Sequence, residues 1–480
     1  MNYLLFERST GNLGPNVFAR LQTTQLLHSL QAAPTLRFDG GERGTVIQDD
    51  QAGPSAIGGE KRAIWAHQSG VNALAIERFD GRLMISGGSD ASLKIWDLDA
   101  CANPGITGHT YTPIARIPRG DKGHKFGITH LSFYPFDSAA FLSASFDHTL
   151  KLWSTETATI SGSFNLESKI YTHAISPIAD HLLVACGTQY PTVRLVDLRS
   201  GSSVQSLVGH NGAVLATAWS PRREHVLATG SVDGTVRIWD VRRSGSSIGM
   251  LDQEDSLGLY RNGLLGLDGK LRSRVSAKAH SGPVNGLTWT DDGNYIISAA
   301  QDRRIRVWDA ATGANTLASF GPSIKNSQLA SVTMFTSPVG LTHPTKELLF
   351  WPNETEILVL DLHDGAVVTR LRNTGPVMAG VRSGSGAERT VKNRVTALAW
   401  RGAGGGGESS GVVTGGNNMA GAIFSAHLDG HIRAWVPRLE GQHEEAEADD
   451  ETKLAEGRSK KRKVLDDVFQ SLMGKKITFT

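Results

Sequence analysis

The chain has 480 residues, 39% of them hydrophobic and 20% charged, with 54 Gly, 10 Trp and a formal net charge of +2. This length allows one large domain or two to four ordinary ones. The near-zero charge is too small to argue for a surface coated with nucleic acid, and two cysteines, Cys101 and Cys186, are too few for a disulfide framework and fit a reducing compartment.

The N-terminal "MNYLLFERST" has neither a charged leader nor a long apolar run, so no signal peptide is expected. No stretch approaches 18 apolar residues, so no transmembrane helix and no membrane partner are expected, and the chain reads as soluble and intracellular. Residues 1–36 read as a helix–loop–helix broken at Gly11, Gly14 and Pro15, with Asn16 as N-cap of a helix from Val17 to about Ala33. Phe18, Leu21, Leu26, Leu27 and Leu30 form an apolar stripe on that helix. The stripe fits packing on the rest of the chain or docking in a partner's groove. Residues 37–60, rich in Gly, Asp and Gln, read as a linker that lets the helices sit apart.

Residues 61–437 are dominated by a repeat. "LMISGGSDASLKIWDL" (83–98), "FLSASFDHTLKLWST" (141–155), "LATGSVDGTVRIWDV" (227–241), "IISAAQDRRIRVWDA" (296–310) and "IFSAHLDGHIRAWVP" (423–437) share a short apolar strand, small residues, an Asp at a tight turn, an alternating strand and a Trp. Hydroxyl, Asp and Trp recur at one spacing: Ser86/Asp90/Trp96, Ser143/Asp147/Trp153, Thr229/Asp233/Trp239, Ser298/Asp302/Trp308 and Ser425/Asp429/Trp435. His67, His124, His210 and His280 lie 22 or 23 residues before four of these aspartates. Two weaker copies, 181–198 and 347–362, keep the strand pattern and the final Asp-Leu but lack the Trp. The step from Trp153 to Val196 and on to Trp239 is 43 residues each time, the WD40 period. Seven copies of four strands predict an all-β, seven-bladed WD40 propeller. The segment "KRAIW" (61–65) is expected to supply the strand that closes the last blade.

His, Ser/Thr and Asp together resemble hydrolase parts. A catalytic centre is assembled once, however, and here the set recurs around a ring. These side chains are therefore expected to form a buried hydrogen-bond chain in each blade, and the chain to be non-enzymatic. No metal cluster, phosphate loop or cofactor site is apparent; the Gly-rich stretch 402–421 follows a strand and reads as a loop.

Residues 438–480 shift in composition. "EEAEADDE" reads as disordered, Lys460, Lys461, Arg462 and Lys463 as a nuclear-import cluster, and 464–473 as a short amphipathic helix able to dock on a partner or fold back.

Several stretches are more specific than the generic repeat: "GVNALAIERFDGRLMISGGSDASLKIWDL" (70–98), "SFYPFDSAAFLSASFDHTLKLW" (132–153), "FNLESKIYTHAISPIADHLLVACGTQYPTVRLVDLRSG" (164–201) and "AWSPRREHVLATGSVDGTVRIWDVRR" (218–243), with "GANTLASFG" and "AWVPRL". From residue 1 to about 440 the chain resembles the Cockayne syndrome group A family, the WD-repeat substrate receptors of cullin-4 RING ubiquitin ligases in transcription-coupled nucleotide excision repair. Loops 244–277 and 372–422 look longer than in that family, and the tail has no counterpart in it. The resemblance implies a nuclear protein whose N-terminal helices, through Phe18, Leu21, Leu26 and Leu27, anchor to an adaptor of the damage-specific DNA-binding protein 1 type, itself held by cullin-4. It marks Arg242, in "WDVR", and more weakly Arg199, in "VDLR", as adaptor-binding residues. The opposite face would then meet a Cockayne syndrome group B-type remodeller beside the RNA polymerase II elongation complex. Two alternatives stay open: a WD40 reader of damaged DNA, and a generic nuclear WD-repeat scaffold.

Overall fold

In a computed structural model of the chain, residues 2–41, 64–101, 108–243, 247–253, 278–338, 342, 346–372, 394–401 and 421–437 are described. The chain divides into Met1–Pro437 and Arg438–Thr480. The second unit, with the expected import cluster Lys460–Lys463 and the helix at 464–473, lies outside the described residues, as do most of the two long loops.

Runs of small and β-branched residues ending at tight turns fold as antiparallel blades, and there are seven. Blade 1 comprises Val71–Ile76, Leu83–Gly88, Leu93–Asp97 and Pro113–Ile117; blade 2, Ile128–Phe133, Ala140–Ser145, Thr149–Ser154 and Ile160–Asn165. Blade 3 comprises Ile170–Ile175, Leu183–Thr188, Thr192–Asp197 and Ser202–Val208; blade 4, Val214–Trp219, Val226–Ser231, Val236–Asp240 and Ser247–Leu251. Blade 5 has Val284–Trp289, Tyr295–Ala300 and Arg304–Asp309, and an irregular segment at its outer edge that bonds through Thr316 N–H to the Val307 carbonyl at 2.8 Å. Blade 6 is Phe335–Thr336, Leu348–Asn353, Glu356–Asp361 and Val367–Arg372. The two degenerate copies are thus complete blades: Val196 and Leu360, fully buried, fill the place of the missing Trp with apolar volume alone.

The first strands of blades 7, 1, 2, 3, 4 and 5 adjoin in that order around the axis. The small residues in each repeat follow from this. A Cβ added to Gly87, Gly187 or Gly230 would lie 2.7 Å from Ile128, Val214 or Val284 of the next blade, so a larger residue would force neighbouring sheets apart.

Blade 7 corrects two expectations. Its first three strands are Val395–Trp400, Ile423–His427 and Ile432–Pro437, but its fourth is Leu30–Ala32, paired Leu30 to Pro437 and Ala32 to Trp435. One edge accepts one strand. Leu30–Ala32 fills it with Leu30 buried, and Ile64 and Trp65 of the segment expected there run as irregular chain. The second helix is correspondingly shorter than expected. Helix α1 is Asn2–Ser9 and helix α2 is Pro15–His28; the cap of α2 is Gly14, not Asn16, because Pro15 takes the first helical position, where a missing N–H costs nothing. The expected linker also begins later than residue 37. Leu36–Phe38 pairs in parallel with His109–Tyr111, and the Phe38 ring stacks on Tyr111 at 4.9 Å and meets Trp96 and Phe424 edge-on. Residues 1–36 are therefore built into the ring at their C-terminal end rather than forming a separate anchor.

Candidate functional site

The repeated polar residues meet inside each blade. The Asp sits in the turn between the second and third strands, the hydroxyl lies mid-way along the second, and the Trp on the third faces it. In blade 2, Trp153 Nε1–H donates to Ser143 Oγ at 2.7 Å, Ser143 Oγ lies 2.6 Å from His124 Nε2, and His124 Nδ1 lies 2.8 Å from Asp147. Blade 1 repeats this with Trp96, Ser86, His67 and Asp90 at 2.9, 2.8 and 3.3 Å, and blade 5 with Trp308, Ser298, His280 and Asp302 at 2.8, 2.7 and 3.0 Å. In blade 4, Trp239 and His210 reach Thr229 at 2.7 and 2.8 Å, but Asp233 is 3.7 Å from His210 and Thr235 bridges the two at 2.9 and 2.6 Å. A neutral imidazole completes such a chain, donating from Nδ1 to the carboxylate and accepting the hydroxyl proton at Nε2. The histidine side chains of these four blades are fully buried.

Blade 7 holds a residue that sequence spacing missed. Trp435 donates to Ser425 at 2.9 Å, and the histidine on that hydroxyl is His427, two residues along the same strand, also at 2.9 Å. Asp429 instead pairs with Arg433 at 2.6 Å and His431 at 3.3 Å. A second missed set is the basic residue two positions before each Trp. Lys94 Nζ donates to the Ala66 carbonyl at 2.8 Å, Lys151 to the Gly123 carbonyl, and Arg306 to Asp302 at 3.0 Å. The signal was present as "LKIW", "LKLW", "VRIW", "IRVW" and "IRAW".

Burial raises the blade aspartates, yet bonds and charge from histidine outweigh it, joined by hydroxyl and backbone N–H bonds at Asp90, Asp147 and Asp233 and by Arg306 and Arg433 at Asp302 and Asp429. Asp90 and Asp429 fall to about 2, and Asp147, Asp233 and Asp302 fall further. Burial lowers His130, on the first strand of blade 2, to about 4, and lowers His173 beside it and His280. The signs agree. A histidine depressed in the folded state leaves more protons on the unfolded chain, so stability is lost as pH falls from about 6.5 towards 4. A depressed carboxylate gives stability that is lost as pH falls from about 4 towards 2. Denaturant midpoints measured from pH 8 to 2 should therefore fall in two successive stages; a flat profile from 6.5 to 4 would contradict the burial of the histidines.

Two faces flank the blades. Turns between strands one and two share a face with turns between strands three and four; the remaining connections form the other face. Arg242 and Arg199 both lie on third-to-fourth turns, exposed on the first face. The Arg242 guanidinium is 67% exposed and forks onto Asp240, Nε at 3.1 Å and a terminal nitrogen at 2.9 Å, which holds the Asp240 carboxyl down. Arg243 lies 4.0 Å from the same carboxylate. Arg222 and Arg223, on the first turn of blade 4, add exposed charge to this face, and His225 beside them stacks on His181 at 5.3 Å.

Because Leu30 pairs with Pro437, α2 arrives at this same face. The expected contact residues on α2 are only partly available. Leu27 is fully buried with Leu348, Phe350, Ile423 and Trp435, and Phe18 is buried beneath Arg8, 4.7 Å from its ring. Both are corrected from adaptor contacts to packing residues, since their surface is already spent within the chain. Leu21 and Leu26 are half-buried; among the described side chains of the helices, the large apolar ones exposed are Tyr3, Phe6 and Val17.

Among the described residues no helix is long and apolar enough to cross a membrane, and no group of three or more His, Cys, Asp or Glu is placed to hold a metal ion. Four segments, 59–97, 116–154, 201–240 and 271–309, match the family pattern "WD domain, G-beta repeat". The chain is 29% identical over 370 residues to the WD repeat-containing protein ATCSA-1 of Arabidopsis thaliana, covering 65% of this chain and 77% of that protein. It is also 28% identical to the ribosome biogenesis protein ytm1 of Pyrenophora tritici-repentis, over 50% of this chain and 55% of that one, and 28% identical to its namesake in Emericella nidulans, over 51% and 53%. The chain thus spans about half the length of the two ytm1 relatives. Taken with the geometry, these matches show that the chain carries WD40 repeats and folds as a seven-bladed β-propeller.

Proposed function

We propose that this protein is the non-catalytic substrate-recognition subunit of a cullin-4-type RING ubiquitin ligase, acting in the nucleus in transcription-coupled nucleotide excision repair. One observation carries the proposal: the end of α2 at blade 7 and the arginines Arg199 and Arg242 at blades 3 and 4 lie on the same face of the ring. An adaptor of the damage-specific DNA-binding protein 1 type would engage both elements there. Tyr3 and Phe6, 71% and 60% exposed, offer apolar contact area, and the arginines offer planar forks for carboxylate or carbonyl oxygens. The similarity to ATCSA-1 over most of that protein supports the assignment. The ring would then hold a remodeller of the Cockayne syndrome group B type near RNA polymerase II, and the ligase would act by raising the local concentration of substrate lysines.

Arg242→Glu should cost no more than about 1 kcal/mol of stability, because the pair it breaks with Asp240 is solvent-exposed on the arginine side, while weakening adaptor binding at least ten-fold by reversing the charge that faces the partner. Affinity purification of wild type, Arg242→Glu and a Tyr3→Glu/Phe6→Glu variant checks this. Undiminished recovery of adaptor and cullin-4 in both variants would overturn the assignment. The similarity to ribosome biogenesis proteins favours a second reading, a nuclear assembly scaffold. In that case wild type would recover assembly factors and no cullin-4.

A further inference from the structure

The face opposite the arginine rim carries an aromatic patch across blades 2 and 3. Phe126 lies on the connection into blade 2 and Phe146 on that blade's second-to-third turn; Tyr190 occupies the equivalent turn of blade 3. Phe126 and Tyr190 are each 58% exposed and Phe146 is 37% exposed. Backbone bonds tie each turn to the entry of its own blade, and one ring contact joins the two blades. Phe146 N–H donates to the Gly127 carbonyl at 3.2 Å, and Gln189 N–H donates to the Lys169 carbonyl at 3.0 Å. Between them the Tyr171 ring meets Phe146 edge-on at 6.1 Å. None of these rings is needed for the blade networks, and an aromatic cluster left this open on a monomer marks a contact surface.

The rim of the patch is basic. Arg119, Lys122, Lys125 and Lys169 are exposed around it, against Asp121 and Glu167; Lys125 pairs with Asp121 at 3.3 Å, leaving the other cations in excess. We propose that this patch binds a short extended segment of a protein partner, in which one or two large apolar side chains are flanked by Asp or Glu. The apolar side chains would cover Phe146 and the rings beside it, and the flanking carboxylates would face Lys122 and Lys169. A single nucleic-acid strand fits less well. Its charge at every nucleotide cannot avoid Asp121 and Glu167, and rings meeting at 81° present no continuous stacking platform. The proposal does not depend on the adaptor assignment, which concerns the other face.

The test selects a phage-displayed library of random 16-residue peptides against the intact chain, with a Phe126→Ser/Tyr190→Ser variant as counter-target. Both substituted side chains are more than half exposed, so the variant should melt with wild type; a Lys122→Glu/Lys169→Glu variant serves as a second, independent surface change. The expected result is enrichment of sequences with large apolar residues flanked by Asp or Glu. A synthetic peptide of that consensus should lose at least ten-fold in affinity on either variant and weaken as salt rises. The proposal is overturned if enriched peptides bind wild type and both variants alike, if the consensus is basic or uncharged, or if a 12-residue oligothymidine binds the patch more tightly than any selected peptide.

Discussion

Deletion of residues 1–36 is expected to unfold the propeller, whereas deletion of residues 2–13, which uncovers Phe18 but keeps the closing strand, is expected to leave it folded with only a small fall in melting temperature. The difference lies in Leu30–Ala32. Removing this strand exposes the hydrogen-bonding edge of Ile432–Pro437 and takes Leu27 and Leu30 out of a cluster shared with blades 6 and 7. Two fully buried leucines are worth about 1.5–3 kcal/mol each before any cavity term, and an open edge invites pairing with other chains. Together these losses are comparable with the net stability of about 5–15 kcal/mol typical of a folded domain. Residues 2–13 contribute mainly α1, whose described side chains are largely exposed. Circular dichroism melts and size-exclusion chromatography of the two truncations decide the matter. Equal melting would place the closing strand elsewhere. The same pair governs binding experiments, because only the shorter truncation separates loss of adaptor contact from loss of the fold.

Substituting Thr229 by Val should cost about 2–5 kcal/mol, because it leaves two buried groups without their partner. Trp239 Nε1–H loses its acceptor and His210 Nε2 loses its hydroxyl, while shape and volume stay almost the same. Thr229→Ser, which keeps the oxygen, should remain within about 1 kcal/mol of wild type. Urea unfolding of the two variants, compared at constant slope, checks this. A Val variant as stable as the Ser variant would mean that the hydrogen-bond chain of blade 4 contributes nothing net and that Thr229 serves only as volume.

Most of the ring was legible because the repeat encodes it redundantly. Ser143, Asp147 and Trp153 sit at fixed spacing for one reason: a strand, a turn and a strand must bring a hydroxyl, a carboxylate and an indole to one point. Even the copies without Trp kept their apolar alternation, and Val196 and Leu360 are buried accordingly. What escaped was what one strand's own pattern does not carry. Leu30–Ala32 is three residues long and continues the apolar stripe of a helix, so its strand character comes entirely from the edge of Ile432–Pro437, about 400 residues away in sequence. His427 escaped because the other blades carry their histidine upstream of the repeat, whereas blade 7 places it on the strand of its own serine. Leu27 and Phe18 lie on a stripe, but periodicity gives a face without saying what covers it; the covering groups are blades 6 and 7 in one case and Arg8 in the other.

The closing strand also fixes an order of events during synthesis. Leu30 leaves the ribosome early and its partner Pro437 late. At about 5–20 residues per second, the interval is roughly 20–80 seconds. Throughout it Leu30–Ala32 has no ladder to join and the first blades stand in an open arc with exposed edges. Blades built from neighbouring residues can form as they emerge, but the ring is sealed only by the final one. A chain stalled or cleaved before residue 432 would thus hold six blades and a loose N-terminus, an aggregation-prone species whose clearance depends on the cell's holdases and proteases.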